Sequence, residues 1–221
     1  MNENNKGIII WDWNGTLLDD VDICIESMND LLQKRNLPLL NLQRYKQVFT
    51  FPVKDYYAEV GFDFKLESFD DVAVEFIDLY REKVKSSTIF KPVQQIMQAF
   101  KTEGYRQFLI SAMEHEFLKE TLESNHVLLY LEAFSGIKDH FAEGKLEMAK
   151  NFFETNNITS NHTYFIGDTI HDFEVAEELG VKSVLVASGH QSMERLTETG
   201  SDVVAGLYDL LDYFQLKKKL E

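Results

Sequence analysis

Four separate stretches of this chain carry side chains that could act together in one reaction. The residues concerned are Asp12 with Asn14, Ser111, Lys145, and Asp168 with Asp172. A carboxylate can attack an electrophile or hold a hard cation, and an ammonium group neutralises charge that develops on oxygen. Such a set suits phosphoryl transfer, because positioning and charge neutralisation provide most of the catalysis in that reaction.

Each of these residues also has an ordinary structural interpretation. Asp12 could cap a local Asn-Gly turn, Ser111 could be the N-cap of a helix, and Lys145 could be an exposed surface lysine. The two aspartates of GDTIHD could form a turn and a cap. The chemical interpretation therefore depends on whether the fold brings all four stretches to one place.

The first stretch follows a run that is typical of a buried central strand. Residues 7–11, GIIIW, are apolar and rich in β-branched side chains, which favours a strand covered on both faces of a parallel sheet. Trp11 is then expected in the core. Gly15 lets the backbone turn sharply after Asp12. In open α/β sheets, ligands bind beyond the carboxyl ends of such strands, where the topology reverses.

Beyond residue 90 the sequence alternates between helical patterns and short apolar strands. We predict strands at 107–110, 133–137, 163–166, 183–186 and 202–205, and helices at 92–101, 114–124, 145–155, 173–179 and from 207 onward. This alternation predicts an α/β fold with a Rossmann-like parallel sheet and helices on both faces. All four reactive stretches then fall at one edge of the sheet. The lysines at 217–219 are expected on a solvated helix end.

The chain between the first strand and residue 88 is helical in pattern. Apolar residues recur at helical spacing in four segments, near 21–32, 42–49, 55–60 and 68–84. Ser68 is a candidate N-cap for the last of these helices. We therefore divide the chain into an α/β core domain, residues 1–17 and 88–221, and an all-helical domain inserted at residues 18–87.

Charge and composition limit the classes of partner. The chain has 221 residues, 44% of them hydrophobic, and a formal net charge of −15. This charge repels nucleic acids and anionic membranes, although local cations can still bind an anionic substrate. Cys24 is the single cysteine, and the sequence shows neither a signal peptide nor a membrane-spanning run. We expect a soluble cytoplasmic protein without nucleic-acid or membrane partners, and the sequence indicates no particular oligomeric state.

The four stretches resemble, in order, the four signature motifs of the haloacid dehalogenase-like hydrolases. WDWNGTLLDD resembles the first motif, FLIS the second, Lys145 in AEGKLEMAK the third, and FIGDTIHD the fourth. The resemblance covers nearly the whole chain and is strongest to the phosphoglycolate-phosphatase-like branch, which has a small helical cap. It implies a Mg²⁺-dependent phosphatase that hydrolyses a small phosphorylated metabolite.

The resemblance also implies a nucleophile and a metal site. Asp12 would attack phosphorus and form an aspartyl-phosphate. Mg²⁺ would be held by Asp12, the backbone carbonyl of Asn14 and Asp168, while Asp172 would position the metal and its waters. Three carboxylates in one cleft repel each other without a cation, which is a separate argument for a metal.

Further residues are implied to bind the phosphate group. Ser111 and nearby backbone N–H groups, such as that of Ala112, would bind phosphate oxygens, and Trp13 is a substrate-binding candidate beside the nucleophile. Lys145 would neutralise developing charge and orient Asp12.

Asn14 departs from the pattern of the family. Most phosphatases of this kind have a second aspartate two residues after the nucleophile, which protonates the leaving alkoxide and later activates water. An amide cannot exchange a proton in this way, and general acid–base catalysis is worth about 10²–10⁴-fold in rate. Three interpretations stay open: a slow phosphatase or one with a good leaving group, a different reaction, or a protein that binds phosphorylated ligands without turnover.

Phosphonate cleavage is the specific alternative. Trp13 resembles the phosphonoacetaldehyde-hydrolase branch, which also lacks the second aspartate and uses a cap lysine as a Schiff base. Lys54 lies in a candidate cap loop, and a buried lysine can become an amine nucleophile. That branch, however, has a small alanine where this chain has Asn14.

The helical insertion is interpreted as the cap that closes over the cleft, excludes water and supplies specificity. We expect hinges near 17–20 and 86–91. Thr50, Pro52 and Lys54 are candidate substrate contacts, with a plain turn as the alternative. His171 is expected to be a surface helix residue rather than a metal ligand, because Mg²⁺ prefers oxygen donors.

Overall fold

A computed structural model describes residues 6–137 and 145–216. The strands are β1 (Gly7–Trp11), β2 (Tyr105–Glu114), β3 (Ala133–Ile137), β4 (Thr163–Gly167), β5 (Lys182–Val186) and β6 (Asp202–Val204). The helices are α1 (Val21–Lys34), α2 (Leu42–Val48), α3 (Val53–Glu59), α4 (Phe69–Val84), α5 (Val93–Thr102), α6 (His115–Ser124), α7 (Lys145–Thr155), α8 (Ile170–Glu178), α9 (Met193–Thr197) and α10 (Asp209–Tyr213), with a 3₁₀ turn at Leu128–Tyr130.

The strands form one parallel sheet in the order β3-β2-β1-β4-β5-β6, which confirms the predicted fold class. The order reverses between β1 and β4, so the topological switch point lies beside Asp12, which follows β1. Trp11 at the end of β1 is in register with Leu109 on β2 and Ile166 on β4. The residues that follow these three positions therefore reach the same edge of the sheet.

Alternating side chains of the central strand serve two hydrophobic cores. Ile9, Trp11 and Trp13 pack with α5 and α10 on one face, whereas Ile8 and Ile10 pack with α7 and α8 on the other. Trp11 is fully buried and its Nε1 donates to Gln107 Oε1 at 3.1 Å, so the prediction that it belongs to the core is confirmed. Burial on both faces explains the continuous apolar run of β1.

The inserted helices α1 to α4 surround a hydrophobic core of their own, and the helical cap is confirmed as an element of the fold. Ser68 accepts a hydrogen bond from the backbone N–H of Asp71, which is the predicted N-cap of α4. The two connections to the sheet lie side by side. The N–H of Asp19 donates to the carbonyl of Thr88, and the N–H of Phe90 donates to the carbonyl of Leu17, both at 3.0 Å.

Several predicted boundaries differ from the structure. Strand β2 continues through Ser111 to Glu114, and the carboxylate of Glu114 caps α6 by accepting the N–H groups of Glu116 and Phe117. The interpretation of Ser111 as a helix N-cap is therefore wrong. Helix α9 had no prediction, and the last helix begins at Asp209 rather than at 207.

The lysines at 217–219 lie outside the described residues. Within the described part of the chain, no helix combines the length and the apolarity that crossing a bilayer requires.

Leu18 tests the packing at the base of the cap. It is 1% exposed and belongs to the hydrophobic cluster beneath the cap connections. Leu18→Ala should lower the free energy of unfolding by about 2–5 kcal/mol, because it removes buried methyl groups and leaves a cavity. Leu39→Ala is the control, since Leu39 is 59% exposed and should change stability by less than about 0.5 kcal/mol. Urea denaturation measures the free energy of unfolding of both variants. Equal losses in the two variants would contradict the proposed contribution of Leu18 to the core.

Candidate active site

Asp12 and Lys145 form the centre of the site. Asp12 follows β1, and its N–H donates to the carbonyl of Ile166 at 2.8 Å. Lys145 begins α7, and its Nζ donates to Asp12 Oδ1 and to Asp172 Oδ1, both at 2.5 Å. Burial disfavours the ammonium charge, but the two carboxylates outweigh it and raise the pKa of Lys145. The surface-lysine alternative is wrong, because Lys145 is only 5% exposed.

Asp172 holds the start of α8 and the lysine at the same time. Its Oδ2 accepts the N–H groups of Asp168 and Thr169 at 3.1 and 3.0 Å, and the Thr169 hydroxyl at 2.7 Å, in a capping box. Its Oδ1 accepts from Lys145. Burial raises the pKa of Asp172, yet the charge of Lys145 more than offsets this and lowers it. The interpretation of Asp172 as a capping residue is therefore correct. In addition, Asp172 forms an ion pair with Lys145.

Asp168 extends from the end of β4 into a crowded position. Its Oδ1 accepts from the hydroxyl of Thr16 at 3.1 Å, and its Oδ2 accepts from the N–H of His190 at 2.5 Å. A Cβ at Gly15, where φ is +68°, would collide with this carboxylate and with the His190 ring. Only glycine therefore allows the turn after the nucleophile to approach Asp168 so closely.

The three carboxylates of this centre suit a hard divalent cation. Oxygens of Asp12, Asp168 and Asp172 lie within 4.8 Å of one another, and all three residues are buried. Burial, with added repulsion from the neighbouring aspartates, raises the pKa of Asp12 to about 8 and that of Asp168 to about 6. Lys145 alone does not balance three carboxylates, so the donor set fits a cation that supplies the remaining positive charge.

The side chain of Asn14 is held by a network that the sequence did not reveal. Its amide nitrogen donates to Asp20 Oδ2 at 2.8 Å and to the Tyr80 hydroxyl at 2.7 Å. Its amide oxygen accepts from the Ser111 hydroxyl at 3.2 Å, so two predicted site residues are brought into contact. Asp20 also accepts from the N–H of Gly15 at 2.8 Å and from the Tyr80 hydroxyl at 2.6 Å.

His190 completes this network from the core side. Its Nε2 lies 3.4 Å from Asp20 Oδ1, and its Nδ1 lies 2.8 Å from the hydroxyl of Tyr45 on the cap helix α2. Burial opposes the imidazolium charge, but the Asp20 carboxylate outweighs it and raises the pKa of His190 to about 9. Asp20 is fully buried, and the charge of His190 and the donated hydrogen bonds lower its pKa despite that burial.

The sequence contains weak indications that Asp20 and His190 belong to the site. Asp20 directly precedes α1, where an acidic residue is typical of an N-cap, yet its side chain makes no capping hydrogen bond. His190 follows β5, and polar residues after strand ends were the pattern that identified the other three core positions. Applying that pattern to the fifth strand would have selected the loop that contains His190.

A cavity of about 250 Å³ opens between this centre and the cap. Its floor contains Asp12, Asn14, Lys145 and Asp168. Its walls are mainly apolar and come from both domains: Phe49, Phe51, Val53, Phe76 and Ile77 from the cap, and Met113 and Phe117 from the core. Arg81, Ala112 and Glu114 also line it, so the predicted phosphate-binding position Ala112 does face the cavity.

Five predicted substrate contacts are not among the residues that line this cavity: Trp13, Thr50, Pro52, Lys54 and Ser111. Trp13 is fully buried in the hydrophobic core, and the Thr50 hydroxyl donates to the neighbouring Phe51 carbonyl at 3.5 Å. The Nζ of Lys54 lies 5.9 and 5.8 Å above the rings of Phe64 and Phe69. The structure therefore does not bring Lys54 to the nucleophile, as the phosphonate alternative would require.

His171 lies on the cavity wall rather than on an open surface. Its ring stacks on Phe51 with 4.9 Å between the ring centroids, and it is half-buried. His171 is thus a partly exposed residue of α8, as expected, but one side of its ring faces the cavity, and it is not part of the carboxylate cluster that could hold a metal.

Comparisons with known proteins agree with this fold. The phosphoglycolate phosphatase of Aliivibrio fischeri is 23% identical over 216 residues, which cover 92% of this chain and 94% of that protein. The 5′-nucleotidase of Pseudomonas aeruginosa is 21% identical over 199 residues, covering 85% and 86%. Among solved structures, a predicted phosphatase of Clostridium acetobutylicum has a TM-score of 0.78 at 22% identity, covering 96% of this chain and 99% of its own.

The family itself follows from a direct match along most of the chain. The sequence model described as "Haloacid dehalogenase-like hydrolase" matches residues 9–186, which include Asp12, Ser111, Lys145 and Asp168. This confirms the resemblance of the four motifs and the prediction that the chain is an enzyme of this kind. The chain belongs to the haloacid dehalogenase-like hydrolase family.

Proposed function

We propose that this hydrolase is a Mg²⁺-dependent phosphatase that acts on a small phosphorylated metabolite through an aspartyl-phosphate on Asp12. The observation that carries the proposal is the Asp12 carboxylate, fixed by Lys145 at the switch point of the sheet and facing a capped cavity. The relatives named phosphoglycolate phosphatase and 5′-nucleotidase support a phosphate ester as the class of substrate.

Side chains and backbone groups near Asp12 would orient both the attacking carboxylate and the phosphate group. Lys145 donates to Asp12 Oδ1 and thereby fixes the orientation of the carboxylate that attacks phosphorus. Its charge also stabilises negative charge that develops on the phosphate oxygens. Ala112 at this edge of the sheet lines the cavity, and its backbone would bind those oxygens. The buried hydroxyl of Ser111, which donates to Asn14, would contribute beside it.

Asp12, Asp168 and the backbone carbonyl of Asn14 would hold Mg²⁺, with Asp172 positioning Lys145 beside them. When bound, the cation supplies charge neutralisation at the phosphate and at the buried carboxylates. The raised pKa of Asp12 supports this assignment, since the carboxylate needs additional positive charge to be ionised near neutral pH.

The surroundings of Asn14 do not suit an aspartate at this position. A carboxylate at position 14 would face the Asp20 carboxylate at the 2.8 Å where the amide now donates. Like charges at that distance repel strongly in a buried site. The amide is therefore matched to Asp20, and neither side chain is placed to donate a proton readily to a leaving alkoxide.

The nucleophile is tested by removing its charge. Asp12→Asn should lower phosphate release from a chromogenic phosphate ester with Mg²⁺ by roughly 10³-fold or more, because no carboxylate is left to attack. EDTA should have the same effect on the unmodified protein. Asp78→Asn, on an exposed site of α4, is the control and should retain activity. Full activity of Asp12→Asn would exclude the aspartyl-phosphate mechanism, and absence of turnover by the unmodified protein would favour a binding role.

The same variant has a second, pH-dependent effect. The pKa of Asp12 is about 8 in the folded chain, above its ordinary value, so its ionisation destabilises the fold increasingly as pH rises from about 4 to 8. Without metal, the change in Tm caused by Asp12→Asn should therefore be more favourable at pH 8 than at pH 5, by about 2–4 °C for each kcal/mol of relieved repulsion. Thermal denaturation in EDTA measures this; a change independent of pH would contradict it.

Mg²⁺ should stabilise the unmodified protein more than the Asp12→Asn variant. Mg²⁺ at 100 times its Kd stabilises the folded state by about 2.7 kcal/mol, so it should raise the Tm of the unmodified protein and have less effect on Asp12→Asn. Equal Mg²⁺ shifts in both proteins would place the cation elsewhere.

The Asn14–Asp20 contact is tested by exchanging the two groups. Asn14→Asp alone should gain little activity, because the new carboxylate meets Asp20. The double variant Asn14→Asp with Asp20→Asn removes that repulsion and should raise turnover of alkyl phosphates by about 10²–10⁴-fold over Asp20→Asn. Steady-state phosphate release measures all three. If Asn14→Asp alone were as active as the double variant, Asp20 would not constrain position 14.

A further inference from the structure

We infer that the substrate is an aryl phosphate, the phosphate ester of a phenol-like hydroxyl whose aromatic ring occupies the apolar part of the cavity. This inference rests on the proposed phosphatase function and names the class of its leaving group. Three independent features support it: the cavity walls, the placement of the cap cations, and the chemistry available at Asn14.

Two apolar side chains of the cavity wall are not part of the hydrophobic clusters that form the cores. Ile77 on α4 and Phe51 before α3 line the cavity, and neither belongs to the hydrophobic cluster of the cap. Phe51 instead packs edge-on against Phe49 and stacks on His171, with centroid distances of 5.5 and 4.9 Å. An aromatic group entering here would bury apolar surface and meet rings at favourable distances.

The basic side chains of the cap are not free to bind a carboxylate in the cavity, and of Lys46, Lys54 and Arg81 only Arg81 lines it. Arg81 lines the cavity, but its Nη2 pairs with Glu114 at 3.1 Å and its guanidinium lies 5.0 Å above the ring of Phe117. Lys46 donates to backbone carbonyls of the loop after β5, and Lys54 lies above aromatic rings. A leaving group that carries a carboxylate, as in phosphoglycolate, would therefore have to compete with Glu114 for Arg81.

The chemistry at Asn14 requires a leaving group that departs without a proton. Asp12 attacks phosphorus, the bond between phosphorus and the aryl oxygen breaks, and its electron pair stays on that oxygen. The resulting phenolate has a conjugate acid with a pKa near 10, as in tyrosine, so it is stable enough to leave and takes its proton from solvent. Water then attacks phosphorus, the bond between phosphorus and the Asp12 oxygen breaks, and the proton of the water passes to solvent, which yields phosphate and restores Asp12.

The cavity size limits the leaving group to a compact one. Its volume of about 250 Å³ lies just below the range of roughly 300–1,000 Å³ of typical ligand pockets. One or two fused rings suit this space better than a peptide that carries a phosphorylated side chain.

The first test compares three substrates with the unmodified protein and Mg²⁺. Phenyl phosphate has the ring and the good leaving group, benzyl phosphate has the ring but an alkoxide leaving group, and 2-phosphoglycolate has neither. We expect kcat/KM for phenyl phosphate to exceed that for 2-phosphoglycolate by at least about 100-fold. Benzyl phosphate should inhibit competitively at concentrations near the KM of phenyl phosphate, yet be hydrolysed at least about 100-fold more slowly.

The outcomes separate this inference from the proposed function. Preference for 2-phosphoglycolate would overturn the aryl class and leave the phosphatase intact. Equal rates for the phenyl and benzyl esters would overturn the leaving-group argument. If no ester is hydrolysed, the phosphatase proposal fails and the inference fails with it.

A pair of variants on one helix tests the wall directly. Ile77→Arg puts an unpaired cation into the cavity, so it should lower kcat/KM for phenyl phosphate by about 10-fold or more and raise that for 2-phosphoglycolate. Val74→Arg is the matched control three residues away on α4, where the side chain is 58% exposed; both values should stay within about 2-fold. If kcat/KM changes equally for both substrates in a folded Ile77→Arg protein, the inference is overturned. If Ile77→Arg does not fold, the comparison of substrates with the unmodified protein still tests the inference.

Discussion

The buried ammonium group of Lys145 is the interaction on which the site depends. Its hydrogen bonds to Asp12 and Asp172 join the end of β1, the start of α7 and the start of α8 at a single point. Removing one partner from a buried ion pair leaves an uncompensated charge, which is strongly destabilising. The parallel sheet makes this convergence available, since β1 and β4 end at the same edge. The cluster of three carboxylates still carries more negative than positive charge, which fits the proposal of a bound cation.

A second network connects the turn after β1, which contains Asn14, to the cap. Asp20 receives hydrogen bonds from Asn14 and Tyr80 and faces His190, which in turn contacts Tyr45 on α2. Tyr45 and Tyr80 belong to the inserted helices, whereas Asn14 and His190 belong to the core. The amide beside the nucleophile is therefore oriented by the same side chains that hold the cap against the sheet. A change in cap position has to alter the surroundings of Asn14.

Local sequence patterns predicted the elements and the centre of the site well. The apolar run 7–11 predicted β1, and Lys145–Thr155 was predicted with the bounds that the structure shows, because these features depend on neighbouring residues. Trp11 was expected in the core, and Trp13, two residues further along, packs in the same hydrophobic cluster. The interpretation of Trp13 as a substrate contact came from the resemblance alone, and the structure places it in the core.

The Asp20 network could not be predicted in this way, because its members are far apart in the sequence. Asp20 and His190 are separated by 170 positions, and Tyr80 comes from the far end of α4. No periodicity connects such residues; only the return of the chain through the sheet brings them together. Lys54 shows the opposite case, since its position in a cap loop suggested a ligand contact, while packing turned its ammonium group onto aromatic rings.

The contact between Asn14 and Asp20 also explains how a hydrolase can have an amide at this position without losing its architecture. The carboxylate nearest to the amide of Asn14 is that of Asp20, which accepts a hydrogen bond from this amide at 2.8 Å. The Asp20 carboxylate is fully buried, accepts several hydrogen bonds and faces a cation, all of which keep it ionised. An ionised, fully bonded carboxylate orients its neighbours well and donates a proton poorly. The aryl leaving group inferred above removes the need for a proton when the ester bond breaks, and the apolar walls of the cavity suit such a group.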